Sequence, residues 1–219
     1  MNQPIIQLLV LLAVAVFLIL RLRNVLGTRE GFEKKPIPMS ERESLPRRDF
    51  EVIEGGPDKD ITDHVEDGTP AAKALGAMKM TESGFNVTEF LTGARGAYEW
   101  ILMAFERGEL EEVRDFVSDE VYEALDSVVQ ARAADGLTVE AEFVGVRETS
   151  LVDADFNRDT KEGEVTVRFV GELAFAVRNA EGEVVEGNPG EIKRQRDVWT
   201  FARVFGSDDP NWRLVATGE

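Results

Sequence analysis

The chain has 219 residues, with 25 Lys/Arg, 42 Asp/Glu, one His and no Cys, and a formal net charge of −17. The absence of cysteine excludes a disulfide framework and a thiolate metal site. The acidic balance argues against general nucleic-acid binding, which needs a basic footprint.

The charge is uneven. Through Phe50 eight Lys/Arg face five Asp/Glu, a net of +3, and the remaining residues hold 17 and 37, a net of −20. Pro4 to Leu20 carry no charged side chain, and the run ends at Arg21 and Arg23. At about 1.5 Å per residue, a helix over this run covers roughly 26 Å of a hydrocarbon core about 30 Å thick. Leu22, Val25 and Leu26 extend the apolar surface while Arg21 and Arg23 snorkel to the interface, so residues 4–26 are expected to form a transmembrane anchor. A cleaved secretory signal fits less well: no Lys or Arg precedes the run, and no clear small-x-small site follows it. Positive charge on the C-terminal side puts the body of the chain in the cytoplasm. An anionic leaflet would attract the same basic stretch at about 1 kcal/mol per well-placed cation.

Residues 27–70 lose periodicity. Pro36, Pro38, Pro46, Pro57 and Pro70 break helices, and Gly55, Gly56 and Gly68 loosen the chain further. A disordered linker is expected, spanning on the order of 35 Å as a flexible coil. The folded domain is expected over residues 71–219, opening with a short helix from Ala71 to Met80.

The next helix has a strong start. Asn86 caps it, Glu89 follows three residues later, and Phe85 and Phe90 stand at the hydrophobic-staple positions. Val87, Phe90, Leu91, Ala94, Tyr98, Ile101, Leu102 and Phe105 recur at helical spacing until Gly108 stops the helix. A short segment from Leu110 to Phe116 leads to a third helix, opened by Ser118 and ended by Gly136.

After Gly136 the period becomes two. Val139, Ala141 and Phe143 alternate with polar residues, and Val165, Val167, Phe169, Gly171, Leu173, Phe175 and Val177 give the cleanest strand. Further strands run from Arg196 to Phe205 and through Trp212, Leu214 and Ala216. Helices first and strands second indicate an α+β fold, with helices packed on one face of a curved antiparallel sheet.

Phe90–Leu110, Ser118–Leu125 and the closing SDDPNWRLVATGE (Ser207–Glu219) resemble the C-terminal domain of the mitochondrial import-motor adaptor. The chain is more similar still to the α-proteobacterial TimA-type members of that Tim-forty-four-like family. The resemblance covers the anchor and the chain from about Gly84 onward. It implies a cone similar to nuclear transport factor two, a bacterial inner-membrane location, binding of anionic lipid and the holding of protein partners at the membrane. In the mitochondrial adaptor a long helical N-terminal region docks a chaperone and the import channel; here an apolar run and a Pro-rich stretch stand in its place.

His64 is the only histidine and falls in the expected linker, so His- or Cys-based nucleophilic catalysis lacks its base and its thiol. No catalytic residue, cofactor or metal is assigned. Tyr98 and Tyr122 sit at helical spacing on apolar faces, where core packing with a hydrogen-bonded hydroxyl is the simpler reading. Tyr98, Phe105, Phe169, Phe175, Trp199 and Trp212 are candidate pocket residues should the curved sheet leave a cavity. Lys193, Arg194 and Arg196 form a basic patch that joins Arg21 and Arg23 as candidate contacts to lipid or partner. Asp153, Asp155, Asn157, Asp159 and Glu164 imitate calcium-loop spacing. Arg158 at the glycine position, Lys161 at position nine and strand-like flanks count against a calcium site. The leading reading is a membrane-anchored, non-catalytic adaptor that binds a protein partner, an acyl chain, or both. The alternatives are a cone-fold small-molecule or lipid-binding protein with enzymatic activity, and an acidic calcium-responsive module.

Overall fold

The computed structural model describes residues 58–218. The expected span over residues 4–26 and most of the expected linker lie outside the described residues. No helix among the described residues is long and apolar enough to cross a membrane.

Three helices, a short α-turn and a 3-10 turn precede a sheet of four strands. The α-turn, α1, is Lys59–Thr62. Helix α2 is Pro70–Thr81 and α3 is Val87–Arg107. A 3-10 turn, Leu110–Phe116, leads to α4, Asp119–Ala134. The strands are β1 (Thr138–Phe156), β2 (Glu162–Arg178), β3 (Val184–Val204) and β4 (Arg213–Gly218). They form an antiparallel meander in the order β1-β2-β3-β4, so the protein is α+β with helices packed against a four-strand antiparallel sheet.

The expected caps are present. Asn86 accepts a hydrogen bond from the Glu89 amide, Gly108 closes α3 in the left-handed conformation, and the Ser118 hydroxyl accepts from Val121. Register shifts interrupt β1 at three places, β2–β3 at two and β3–β4 at one. Bulges of this kind bend and twist a strand, which lets long strands wrap around a helix. The core lies between α2, α3 and the sheet, where Val87, Tyr98, Val165, Val167, Phe169 and Leu214 are fully buried. At Gly171 an added Cβ would stand 2.7 Å from the Tyr98 hydroxyl oxygen. A glycine there lets α3 press against β2.

Three expectations need correction. Residues 58–70 belong to the fold and not to the linker. Pro70 does not break a helix; it occupies the first turn of α2, where its missing N–H costs nothing, and Thr69 caps it. Ile61 is buried. Asp60 accepts hydrogen bonds from the amides of Val87 (2.8 Å) and Thr88 (3.0 Å), the first residues of α3, and Lys79 reaches it at 2.7 Å. Second, β1 runs far beyond Phe143, to Phe156. Third, β3 begins at Val184, well before Arg196. The β3 extension is largely exposed on both faces, so burial imposed no alternating pattern on it, whereas in β1 three register shifts put the core-facing Phe143, Val146, Leu151 and Ala154 out of a period of two.

Burial works against the charge on Asp60, but Lys79 and the amides of Val87 and Thr88 outweigh it and hold the carboxyl well below the usual carboxylate range. Its contribution is therefore present above the ordinary aspartate value of about 4 and fades as the pH falls below it. Asp60→Asn is expected to cost about 1 kcal/mol, the scale of a lost helix cap. A lowered Tm and faster amide exchange around Ile61 would register the change; unaltered exchange there would refute this account of how the segment is held.

Candidate functional site

The described residues enclose an open apolar groove of about 360 Å³ along α3. Its floor is built from small residues of one helix face, Gly93, Ala94 and Ala97, with Ile101 beyond them. Phe90, Phe116 and Trp212 form the walls, and Pro210 and Asn211 the rim. An added Cβ at Gly93 would meet nothing within 4 Å. Trp100, 40% exposed, stands just outside the groove with its ring 4.9 Å from Phe116. Two of the three segments that carry the family resemblance, Phe90–Leu110 and Ser207–Glu219, thus meet as floor and wall of one groove.

A small network sets the Trp212 wall. Trp212 packs 4.5 Å from Phe90 and 5.9 Å from Phe85. Arg203 lies over the rings of Phe205 and Trp212, at 4.4 and 5.3 Å. It donates to the Pro210 carbonyl (3.2 Å) and to Glu82 (2.8 Å), on the corner between α2 and α3. Asp209 accepts from the Asn211 amide and side chain, each at 2.9 Å, and closes the turn. Strand, turn and helix corner are thereby tied to one guanidinium.

The candidate pocket aromatics do not share one cavity. Tyr98, Phe169 and Trp199 form a buried stack, with Tyr98 nearly parallel to Phe169 at 4.5 Å and tilted on Trp199 at 4.8 Å. Phe105 lies apart under Arg132, and Phe175 under Lys193 at 4.8 Å. Trp212 alone of the six lines the groove. The Tyr98 hydroxyl donates to Asp197 at 2.5 Å, and Gln195 donates to the other oxygen of that carboxylate at 3.0 Å. Burial first, then the hydrogen bond to Asp197 and its charge, push the Tyr98 hydroxyl above the ordinary phenol range.

Strand alternation divides the basic patch. Lys193 lies opposite Leu173, on the face that carries Phe175, whereas Arg194 and Arg196 lie opposite Glu172 and Val170 on the other face. There Arg147 (2.6 Å) and Arg194 (3.2 Å) grip Glu172, which only slightly exposes its side chain. The bond from Arg147, with help from Arg194, lowers the Glu172 pKa against the effect of burial. Arg21 and Arg23 lie outside the described residues. Among the calcium-loop candidates, Asp153 and Asp155 are in β1 and Glu164 faces Asp155 across the β1–β2 ladder. Asn157 is occupied by the turn, accepting from the amides of Asp159 and Thr160. Among the described residues no three His, Cys, Asp or Glu side chains are grouped to hold a metal ion.

Asp60, Glu82, Asp197 and Arg203 were not singled out from the sequence. Two of them were legible there: Asp197, Trp199, Phe201, Arg203 and Phe205 are alternate residues of one strand, so an acid and a base interrupt an apolar face. Asp60 and Glu82 act through contacts distant in sequence and left no local signal.

The architecture is that of an α+β domain, with helices packed against a four-strand antiparallel sheet. Residues 71–219 match the Tim44-like domain family, and the chain belongs to it. It is 30% identical over 118 residues to the mitochondrial import inner membrane translocase subunit TIM44 of Homo sapiens and 28% identical to that of Mus musculus. These matches cover 52% of this chain and 25% of each relative, so the chain spans a quarter of the length of the curated relatives it matches. Among solved structures, the intermembrane space region of the chloroplast protein ARC6 is similar at 10% identity and a TM-score of 0.36, covering 57% of this chain and 94% of that one.

Tyr98→Phe leaves the Asp197 carboxylate buried with Gln195 as its remaining partner, and a cost of about 1–3 kcal/mol is expected in denaturant unfolding. Because the folded state keeps the Tyr98 proton, this residue's contribution is whole below about pH 10, the ordinary tyrosine value, and shrinks as the pH rises above it. The wild type should therefore lose stability above pH 10 more steeply than Tyr98→Phe. Equal slopes would contradict the assignment.

Proposed function

We propose that this chain is a membrane-anchored, non-catalytic adaptor. Its apolar leader holds it in a bacterial inner membrane, and its Tim44-like domain, on the cytoplasmic side, seats an apolar segment of a protein partner in the α3 groove. The single observation that carries this reading is the groove. It is floored by glycine and alanine and walled by aromatics, so a partner's bulky side chains fit where the domain offers few of its own. Apolar clefts of this size are ordinary places for anchoring residues to dock. The human and mouse relatives are named as subunits of a mitochondrial import inner membrane translocase, and that supports a role connected with protein transport. The uncharged run ending at Arg21 and Arg23 supports the anchor and its orientation. The non-catalytic reading rests on the composition, which has no cysteine and a single histidine, His64, whose ring is bonded to Thr88 on the domain surface.

Filling the groove tests the proposal. Ala97→Trp places a large side chain over its floor. A photo-crosslinking side chain at Gly93, in the full chain in native membranes, should capture a discrete protein, and Ala97→Trp should reduce that capture at least about tenfold while the Tm stays near wild type. Capture that persists unchanged in Ala97→Trp would refute groove docking. Deleting residues 4–26 should move the protein from the membrane to the soluble fraction; a chain that stays membrane-bound would refute the anchor.

A further inference from the structure

The sheet ends in an edge that the fold leaves open. β4 pairs with β3 only from Val198 to Ala202, and its last described pair is Gly218 with Val198. Below that point Ile192–Asp197 of β3 are hydrogen-bonded to β2 on one side, and no described strand pairs with them on the other. Every second residue of such an edge points both its backbone N–H and its C=O outward, a template for one more strand.

On the face turned away from Tyr98, the charged side chains of this edge are all cationic, whereas its one acid, Asp197, points to the core side. Ile192, Arg194 and Arg196 share the face that bears Arg168 and Glu172, and Arg147 reaches that face through Glu172. Arg194 and Arg147 are 61% and 66% exposed at their side chains, and Ile192 is 58% exposed. Arg168 and Arg196 form no ion pair among the described residues. Four arginines thus stand about a single deeply set acid, Glu172, while Glu142 and Glu148 of β1 share the face farther from the edge, inside a region that is strongly acidic as a whole.

We infer that the Ile192–Asp197 edge accepts an extended acidic peptide as a fifth strand, in line with β4, with acidic side chains at alternate positions facing Arg196 and Arg194. Strand addition of this type takes affinity from main-chain hydrogen bonds and specificity from alternate side chains. The period matters: the two arginines are two residues apart, so only every second residue of the incoming strand meets one. The shape of the charge selects a peptide over an anionic membrane surface. The two arginines at the edge itself, Arg194 and Arg196, lie on one strand, and exposed Glu142, Glu148, Glu183, Glu186 and Glu191 stand on the neighbouring backbone. A planar bilayer would have to approach those acids together with the arginines, whereas a single strand does not. This edge is separate from the α3 groove, and the inference stands without the adaptor reading.

The test uses the full chain in an uncharged detergent and a fluorescent peptide of alternating Glu and Thr, long enough to span Ile192–Asp197. A control peptide has the same composition with its Glu residues in one block. Saturable binding of the alternating peptide, with slowed hydrogen exchange of the Ile192–Asp197 amides, is expected. Arg196→Glu should weaken binding by about tenfold, and because Arg196 has no ion-pair partner the Tm should hold. Arg194→Gln, with Glu172 still held by Arg147, is the second variant and should weaken binding by a smaller factor. Any of four results would overturn the inference: no saturable binding, binding without amide protection, equal binding of the block peptide, or preferential protection of these amides by phosphatidylglycerol vesicles.

Discussion

The fold turns on the contact between one face of α3 and the two central strands. Tyr98 lies flat on Phe169, leans on Trp199, passes beside Gly171 and gives its hydroxyl to Asp197. Each part requires the others. Without the glycine the ring cannot approach β2, and without the phenol Asp197 is a buried carboxylate with one neutral donor. Aromatic packing supplies area and the hydrogen bond supplies direction, so the contact sets both the depth and the rotation of α3 on the sheet.

That rotation decides what α3 presents elsewhere. With Tyr98, Leu91 and Leu102 turned inward, Gly93 and Ala97 come to the side where Trp212 and Phe116 stand. Two polar ties then hold the surroundings. Asp60 binds the first turn of α3, and Arg203 joins the turn before β4 to Glu82. Each tie is a charge with several partners, partly shielded from solvent, where hydrogen bonds to an ionised group are worth more than neutral ones. The groove is a consequence of this framing: small residues on a helix face leave space, and aromatic residues anchored by Arg203 bound it.

The distribution of charge gives the domain a second character. Most of its acids are spread over exposed surface, while cations are scarcer and several are committed to particular partners such as Asp58, Glu106 and Glu172. The strip from Arg168 to Arg194 is a local reversal of the overall sign. Its edge members, Arg194 and Arg196, sit on the strand that outruns its neighbour, because β3 is 21 residues long and β4 is 6. A mismatch in strand length and a concentration of arginine thus fall at the same place.

Much of the fold was legible along the chain. Asn86 with Glu89, Gly108, and the thirteen-residue alternation in β2 are local signals, and local signals suffice for elements whose one face is buried. The order of helices before strands was enough for the α+β class. Residues 58–70 were misread because Pro57, Gly68 and Pro70 look like breaks until the partners of Asp60 and the cap of α2 are known. The outer part of β3 leaves no signal because exposure removes the pattern that burial writes, and that of β1 leaves none because bulges put its core-facing Val146, Leu151 and Ala154 out of a period of two. The groove, the division of Lys193 from Arg194 and Arg196, and the Tyr98–Asp197 pair were matters of tertiary structure. They depend on register and on contacts between residues tens of positions apart, and a linear sequence states which side chains exist without stating which of them meet.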